Sequence, residues 1–255
     1  MQSPSASDGG RPARGRGDGW LTRQARWLAS DGLLHMSSAA VAKAVRAEAT
    51  AWRSFAAHWD RLALDHFMGD GGTYRLRRYG ALACRQSSAW QQLPHTAYRQ
   101  APSVNPLNGG IDRLFEPLEA SFVQHPMLRS LIELTLALIH HSEGQRSDWK
   151  VELHPYRILA RPDCPGQPTP EGLHRDGVDY TAALMVRRAN IKGADTRVAD
   201  TDHRELQRLR LRAPMDLLLL DDVRTLHEVS PVVQRKAHAG AWRDVLVLAY
   251  TRWKA

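Results

Sequence analysis

Long apolar runs and cysteine are what this 255-residue sequence most lacks. No stretch of eighteen consecutive apolar residues occurs, which excludes a conventional membrane-spanning helix. The first residues also lack the apolar run of a secretory signal. The only two cysteines, Cys84 and Cys164, are far apart, which excludes a disulfide framework and a cysteine-rich zinc module. We therefore expect a soluble, cytoplasmic protein.

Positive charge is in excess, with 35 Lys and Arg residues against 27 Asp and Glu and a formal net charge of +8. Such an excess raises nucleic acid as a partner. The basic residues are interleaved with acids, however, and their densest runs (75–78, 187–188 and 204–212) adjoin no aromatic stacking platform. We interpret them as a solvated surface and expect no nucleic-acid partner, keeping a basic nucleic-acid-binding protein as the weaker alternative.

The N-terminal half is predicted to be helical after a short tail. Residues 1–18 are rich in Gly, Ser, Pro and Arg without a hydrophobic period, which predicts a disordered tail. Apolar residues recur at helical spacing from Gly19 to about Met68 and again from Pro126 to about His141, where Thr135 interrupts the apolar stripe. We see no linker within residues 19–255 and expect a single domain.

The C-terminal half is predicted to consist of strands. The residues from Asp70 to Cys84 open with a turn signal and partly alternate, which indicates a strand or hairpin. Four later segments combine alternation or short apolar runs with strand-forming residues: 151–160, 179–188, 217–222 and 242–253. Short strands joined by turns predict an α+β fold with a double-stranded β-helix (jelly-roll, cupin-like) core. Helices of the N-terminal part would pack on one face of it.

A candidate metal site follows from three residues. His174 and Asp176 stand at i and i+2, so on an extended segment both side chains point to the same side. His227 lies just beyond the apolar segment 217–222. Two imidazoles and one carboxylate form the facial triad of non-haem Fe(II) oxygenases, which leaves coordination positions open. Taken alone the motif is weak, because such a spacing also arises by chance and a lone histidine is usually an ordinary polar residue.

Arg243 is the candidate anion-binding residue. It shares one face of the last predicted strand with Val245, Val247 and Ala249. An inward-facing guanidinium is costly to bury unless it meets an anion, and it matches a carboxylate bidentately. From the sequence alone the anion is either a bound ligand or a structural carboxylate of the protein.

Specific motifs surround these residues. The stretch 168–200 (PTPEGLHRDGVDYTAALMVRRANIKGADTRVAD), LLLLDDVRTLHEVSPV and WRDVLVLAYTR resemble the bacterial 2-oxoglutarate/Fe(II)-dependent amino acid dioxygenases, the isoleucine dioxygenase-like family. HPYRILARP and YRLRRYG also fit, so the resemblance extends from about Asp70 to the end. One departure is Gly193-Ala194, where the family commonly has two adjacent glycines. We expect this difference to affect the shape of that loop and substrate choice but not the iron chemistry.

The resemblance implies the cofactors and the reaction. His174, Asp176 and His227 would bind Fe(II), and Arg243 would bind the C5 carboxylate of the co-substrate 2-oxoglutarate. Oxygen would convert 2-oxoglutarate to succinate and CO2 while an unactivated C–H bond of a free L-amino acid is hydroxylated. Aliphatic amino acids are the first expectation and polar or cyclic ones the main rival. Because a halogenase needs an open position where Asp176 stands, the resemblance favours hydroxylation.

Other polar residues have open assignments. Arg157 is expected either to meet a substrate or co-substrate carboxylate or to form a structural ion pair. Glu171 and Asp179 could orient His174 or receive a substrate amine. Thr181 could donate a hydrogen bond to the co-substrate, as could its neighbour Tyr180. The remaining histidines, including His154, are interpreted as ordinary polar residues. A jelly-roll protein that uses the triad for another metal, without oxygenase activity, is the main alternative function.

Overall fold

The computed structural model describes residues 18–86 and 89–253. The helices are α1 Asp18–Asp31, α2 Ser38–Ala44, α3 Ala49–Ala56, α4 Ala120–Val123 and α5 Pro126–Glu143, with a 3-10 turn at Ala57–Arg61. The strands are β1 Leu33–Met36, β2 Ala63–Leu64, β3 Arg75–Arg77, β4 Gly80–Cys84, β5 Gln91–Gln92, β6 Trp149–Ala160, β7 Tyr180–Ala189, β8 Ile191–Gly193, β9 Thr196–Asp200, β10 Glu205–Leu209, β11 Leu217–Asp221, β12 Thr225–Val229, β13 Val232–Gln234 and β14 Ala241–Arg252. Of the predicted tail 1–18, only Asp18 lies within the described residues, as the first residue of α1.

The major sheet has nine strands built around two long ones. Its order is β1-β11-β7-β14-β6-β3-β2, and β4, which carries β5, also pairs with β6. Strands β6 and β14 pair antiparallel along all twelve residues, from Trp149 opposite Arg252 to Ala160 opposite Ala241. A three-stranded sheet β10-β9-β12 and a two-stranded sheet β13-β8 form the second layer. Two layers of antiparallel strands confirm the predicted jelly-roll core.

Alternation along the major sheet separates the core from a cavity. In β11, Leu217 and Leu219 belong to the core shared with α1, α3 and α5, whereas Leu218 and Leu220 point toward the second layer. Because side chains of a strand alternate between the two faces, one face of the sheet packs on helices and the other faces the smaller sheets. This arrangement confirms the prediction that helices cover one face.

Helix α5 is the main helix of that core. Its N-cap is His125, whose Nδ1 accepts a hydrogen bond from the Met127 N–H, and it ends at Gly144 with φ +70°, the left-handed conformation that glycine adopts at helix ends. Thr135, the polar interruption of the stripe, is buried and its hydroxyl bonds with the Tyr250 hydroxyl of β14. Within the described chain, no helix combines the length and apolarity needed to cross a membrane.

The structure corrects two details of the prediction. The segment Gly19–Met68 is not continuously helical, because β1 lies within it and pairs with β11 from Leu33 opposite Leu220. Short apolar segments fit either helix or strand, and here the partner strand decides. Strands β3 and β4 do not form a hairpin with each other, since each pairs with a different part of β6.

The departure at Gly193-Ala194 lies in a left-handed turn after β8. Gly193 has φ +77° and Ala194 has φ +59°. A Cβ on Gly193 would lie 2.1 Å from the carbonyl oxygen of Pro231, so only glycine fits there. Ala194 is buried and adopts a conformation that costs a residue with a Cβ about 1 kcal/mol. A second glycine at this position would avoid this cost.

Candidate iron and 2-oxoglutarate site

A cavity lies between the two layers of strands. From the major sheet it is lined by residues of β6, β7, β11 and β14, and from the second layer by residues of β9 and β12. The loop that contains His174 and Asp176 closes one side, and Arg75 and Tyr98 close another. Several walls are apolar, including Val245, Val247 and Ala249 of β14, which face the cavity as the sequence predicted.

The three candidate metal ligands come together in this cavity. His174, Asp176 and His227 each offer one ligand atom, and these atoms lie within 4.8 Å of one another. A backbone bridge joins the two histidines, because the His174 N–H donates to the His227 carbonyl at 3.0 Å and the reverse bond measures 2.7 Å. The backbone therefore fixes the separation of two ligands that are far apart in sequence.

The hydrogen bonds of the imidazoles suit metal binding. His174 donates from Nδ1 to the Gly172 carbonyl oxygen at 2.9 Å, and that bond leaves Nε2 free for a metal. Nε2 lies 3.6 Å from Oδ1 of Asp176. Nδ1 of His227 is buried and has no hydrogen-bond partner among the described residues. Buried polar atoms normally have a partner, so a bound group would satisfy this nitrogen.

The three side chains of the triad influence one another's pKa values. Burial opposes the charged form of His174, but the hydrogen bond and charge of Asp176, aided by Glu171, raise its pKa to about 9. Burial and the neighbouring His174 lower the pKa of His227 to about 4. Although burial acts in the other direction, both histidines and the Thr181 hydroxyl hold the pKa of Asp176 well below its usual value. One carboxylate thus stabilises positive charge at this point of the cavity.

Asp222 holds the loop that carries Asp176. Its Oδ1 accepts the Asp176 N–H at 3.0 Å, and its Oδ2 accepts the N–H groups of Gly177 and Val178 at 2.7 and 3.1 Å. Asp221 fixes the following turn by accepting the Val223 N–H. Of these two acids, only Asp222 contacts the loop that carries Asp176 through the hydrogen bonds described above.

Replacing Asp222 with alanine is expected to weaken metal binding about 10- to 100-fold, the usual effect of losing a group that positions a ligand. The physical reason is that three backbone N–H groups next to Asp176 lose their acceptor. Titration of the metal-free protein with Mn(II) measures the effect. Asp221→Ala is the matched control, and equal affinities of the two variants would contradict this role of Asp222.

Arg243 faces the cavity without a partner. It is only 4% exposed, its Nε is buried and unsatisfied, and no hydrogen bond joins its side chain to another described residue. Burial and the charge of Arg188 on β7 lower the pKa of Arg243 to about 10. The sequence left open whether the anion that meets Arg243 is a bound ligand or a structural carboxylate. Among the described residues, no structural carboxylate is paired with its guanidinium. A bound carboxylate would satisfy the charge.

The structure distinguishes the positions of the other candidate residues. Arg157 does not line the cavity, since it forms ion pairs with Asp244 at 2.7 Å and Asp60 at 3.0 Å. The structure thus supports the ion-pair alternative for Arg157. Thr181 lines the cavity, and its hydroxyl helps to lower the pKa of Asp176. Asp179 accepts the backbone N–H of Arg252 away from the cavity.

Glu171 is the one of these acids that lies in the cavity. Its Oε1 is 3.4 Å from Nε2 of His174.

Two residues that the sequence motifs did not predict at the site, His154 and Arg75, also line the cavity. His154 is 2% exposed and its Nδ1 accepts from Arg77 at 2.6 Å, so it is not an ordinary polar residue. Burial, with the charge of Arg77, holds its pKa well below the usual value. The alternation of Arg75 and Arg77 about Leu76 is the sequence signal that indicates a shared face.

A comparison with protein-family models identifies the family of this chain. The family model described as "2OG-Fe dioxygenase" matches residues 56–249. This range contains the three candidate ligands and Arg243.

Three similar proteins are informative. The chain is 26% identical over 158 residues to the 3(1)-hydroxy-L-isoleucine 4-dioxygenase of Pantoea ananatis strain AJ13355, covering 61% of this chain and 64% of that protein. It is 22% identical over 157 residues to the L-isoleucine-4-hydroxylase of Bacillus thuringiensis, covering 60% and 65%. The alignments thus span a little under two thirds of these relatives. A solved structure of a bsmA homolog from Methylobium petroleophilum PM1 is 33% identical, with a TM-score of 0.83 over 92% of this chain and 95% of that one.

Proposed function

Because the chain belongs to the 2OG-Fe dioxygenase family, we propose that it hydroxylates a free L-amino acid at an unactivated C–H bond. The cofactor is Fe(II), and the co-substrates are 2-oxoglutarate and O2, with succinate and CO2 as the other products. His174, Asp176 and His227 are proposed as the iron ligands. Arg243 is proposed to bind the C5 carboxylate of 2-oxoglutarate.

The observation that carries this proposal is the presence of the triad and an unpartnered Arg243 in one buried cavity. A facial triad leaves coordination positions open for a bidentate keto acid and for dioxygen. Two carboxylates are available in 2-oxoglutarate, so one can bind the metal while the other neutralises the guanidinium. The donor set of two imidazoles and one carboxylate suits Fe(II).

The residues of this chain position the reactants and exclude water. When bound, Fe(II) would activate O2, the oxidant that breaks the C–H bond, and 2-oxoglutarate would supply two electrons through its oxidative decarboxylation. The His174–Gly172 hydrogen bond orients one imidazole, and Asp222 holds the backbone of Asp176. Val245 and Val247 form an apolar wall beside these groups, which limits the access of water to the reacting centre.

The substrate class is supported by the relatives and by the cavity. Both curated relatives carry names of enzymes that act on isoleucine or hydroxyisoleucine. The apolar lining from Leu218, Leu220 and Ile158 suits an aliphatic side chain.

A cytoplasmic location is also proposed, because Cys84 and Cys164 are both unpaired, as is usual in a reducing compartment.

The proposed function is tested by anaerobic loading with Fe(II) and 2-oxoglutarate, followed by oxygen and a pool of free L-amino acids. Mass spectrometry is expected to find succinate together with one amino acid that has gained a single oxygen atom. An aliphatic amino acid is expected to be the one modified. Iron binding without keto-acid consumption under any of these conditions would contradict the proposal and favour a metal-binding protein that is not an oxygenase.

A further inference from the structure

A second pair of opposite charges lies in the same cavity as the triad. Arg75 of β3 and Glu171 of the loop before His174 both line it. Burial alone would lower the pKa of Arg75, and the charge of Glu171 is one of the causes that raise it. The two residues are therefore near enough to interact electrostatically. Neither residue is among the proposed ligands of iron or the proposed anchor of 2-oxoglutarate, so their presence needs a separate explanation.

Arg75 has hydrogen-bond donors to spare. It is 6% exposed, and its Nε donates to Oδ2 of Asp65 at 2.7 Å. Its two terminal nitrogens have no hydrogen-bond partner in the described part of the chain. Arg77 also approaches Oδ2 of Asp65, at 3.9 Å. One carboxylate is therefore shared by two guanidinium groups, and this cluster keeps one positive charge beside the cavity.

Glu171 has the complementary need. Its Oε2 is buried and unpartnered within residues 18–86 and 89–253. The nearest cationic group is His174, whose Nε2 lies 3.4 Å from Oε1. A buried carboxylate oxygen without a partner is costly, so a cationic hydrogen-bond donor from a ligand would satisfy Oε2 of Glu171.

We propose that Arg75 binds the α-carboxylate and Glu171 the α-ammonium group of the amino acid substrate. This inference rests on the proposed function. The charges of Fe(II), Asp176, Arg243 and the 2-oxoglutarate dianion cancel, so Arg75 and Glu171 remain as a positive and a negative group in the cavity. A zwitterion is the ligand that matches such a pair. A residue within a peptide carries neither charge, and the pair therefore selects free amino acids.

The arrangement also indicates which part of the substrate the apolar lining contacts. Arg75 lies on β3 beside Ile158 of β6, whereas Glu171 lies three residues before His174. With both charged groups of the substrate held by these two residues, the side chain is the part that remains free to contact the apolar lining of the cavity.

The test compares three ligands on enzyme loaded with Mn(II) and 2-oxoglutarate, which binds without turning over. The ligands are L-isoleucine, or the amino acid that the pooled assay identifies, together with its amide and its deamino acid. Calorimetry measures affinity for the parent, Arg75→Gln and Glu171→Gln. Glu48→Gln, at an exposed position, is the matched control.

The parent is expected to bind the amide and the deamino acid about tenfold or more weakly than the amino acid, the effect of one charge-assisted hydrogen bond. Arg75→Gln should bind the amino acid about tenfold more weakly while its affinity for the amide changes less than about twofold. Glu171→Gln should show the same selective loss for the amino acid and not for the deamino acid. Glu48→Gln should resemble the parent.

Distinct outcomes separate the two proposals. If the parent hydroxylates an amino acid but both variants bind all three ligands like the parent, or weaken them equally, the assignment of Arg75 and Glu171 is wrong and the function stands. If the parent neither binds nor hydroxylates any amino acid, both proposals are wrong. Should Arg75→Gln fail to fold because Asp65 is buried, Glu171→Gln alone decides, since no hydrogen bond of Glu171 to a described side chain is lost.

Discussion

Replacing Asp176 with alanine is expected to abolish amino acid hydroxylation and the accompanying formation of succinate. The triad would lose its only carboxylate, and two imidazoles alone cannot balance the charge of the metal. Losing a group that only positions a ligand lowers metal affinity about 10- to 100-fold. We expect a larger fall here, because Asp176 is itself a proposed ligand. Calorimetric titration with Mn(II) and succinate production measure the two effects separately.

The control for this experiment is Asp163→Ala, a carboxylate in an exposed turn. It should bind metal and turn over like the parent. His174, His227 and Thr181 stabilise the negative charge of the Asp176 carboxylate. Removing this carboxylate therefore also alters the charge of the cavity. Turnover that persists in Asp176→Ala at the parent rate would exclude this residue as an iron ligand.

Replacing Arg243 with alanine is expected to raise the apparent KM for 2-oxoglutarate at least about 30-fold. That factor corresponds to about 2 kcal/mol, the lower end of the cost of truncating one partner of a buried charge pair. The buried and unpartnered guanidinium of Arg243 has no structural anion to lose among the described residues, so folding should be little affected. Metal affinity in the absence of 2-oxoglutarate should stay within about twofold of the parent value.

Arg235→Ala is the matched control for Arg243, because Arg235 is exposed and lies outside the cavity. Its saturation curve for 2-oxoglutarate should equal that of the parent. A normal curve for Arg243→Ala would instead require another cation of the cavity, with Arg75 the first candidate, to hold the co-substrate.

The sequence predicted those parts of the site that follow from strand alternation and local spacing. Arg243, Val245 and Val247 share the cavity face of β14 because side chains alternate along a strand. His174 and Asp176 point into one cavity for the same reason. Spacing along the chain does not tell which residues become neighbours on different strands. In the structure, these neighbours come from the pairing of β6 with β14 and from the bridge between His174 and His227.

Other features depend on contacts that are distant in sequence. Arg157 could not be assigned because alternation does not say which face of β6 is the inner one, and the structure places Tyr156 and Ile158 there. The presence of Arg75 and Glu171 in one cavity depends on two segments far apart in the chain. Asp222 acts on backbone N–H groups of another loop, and such acceptors leave no spacing pattern in a sequence.

The most direct test of the proposed reaction is to run it under ¹⁸O₂ with Fe(II), 2-oxoglutarate and the amino acid from the pooled assay. One ¹⁸O atom is expected in succinate and one in the hydroxylated amino acid, with the two products formed in equal amounts. An amino acid product whose oxygen comes from water, or a product formed without consumption of 2-oxoglutarate, would contradict it.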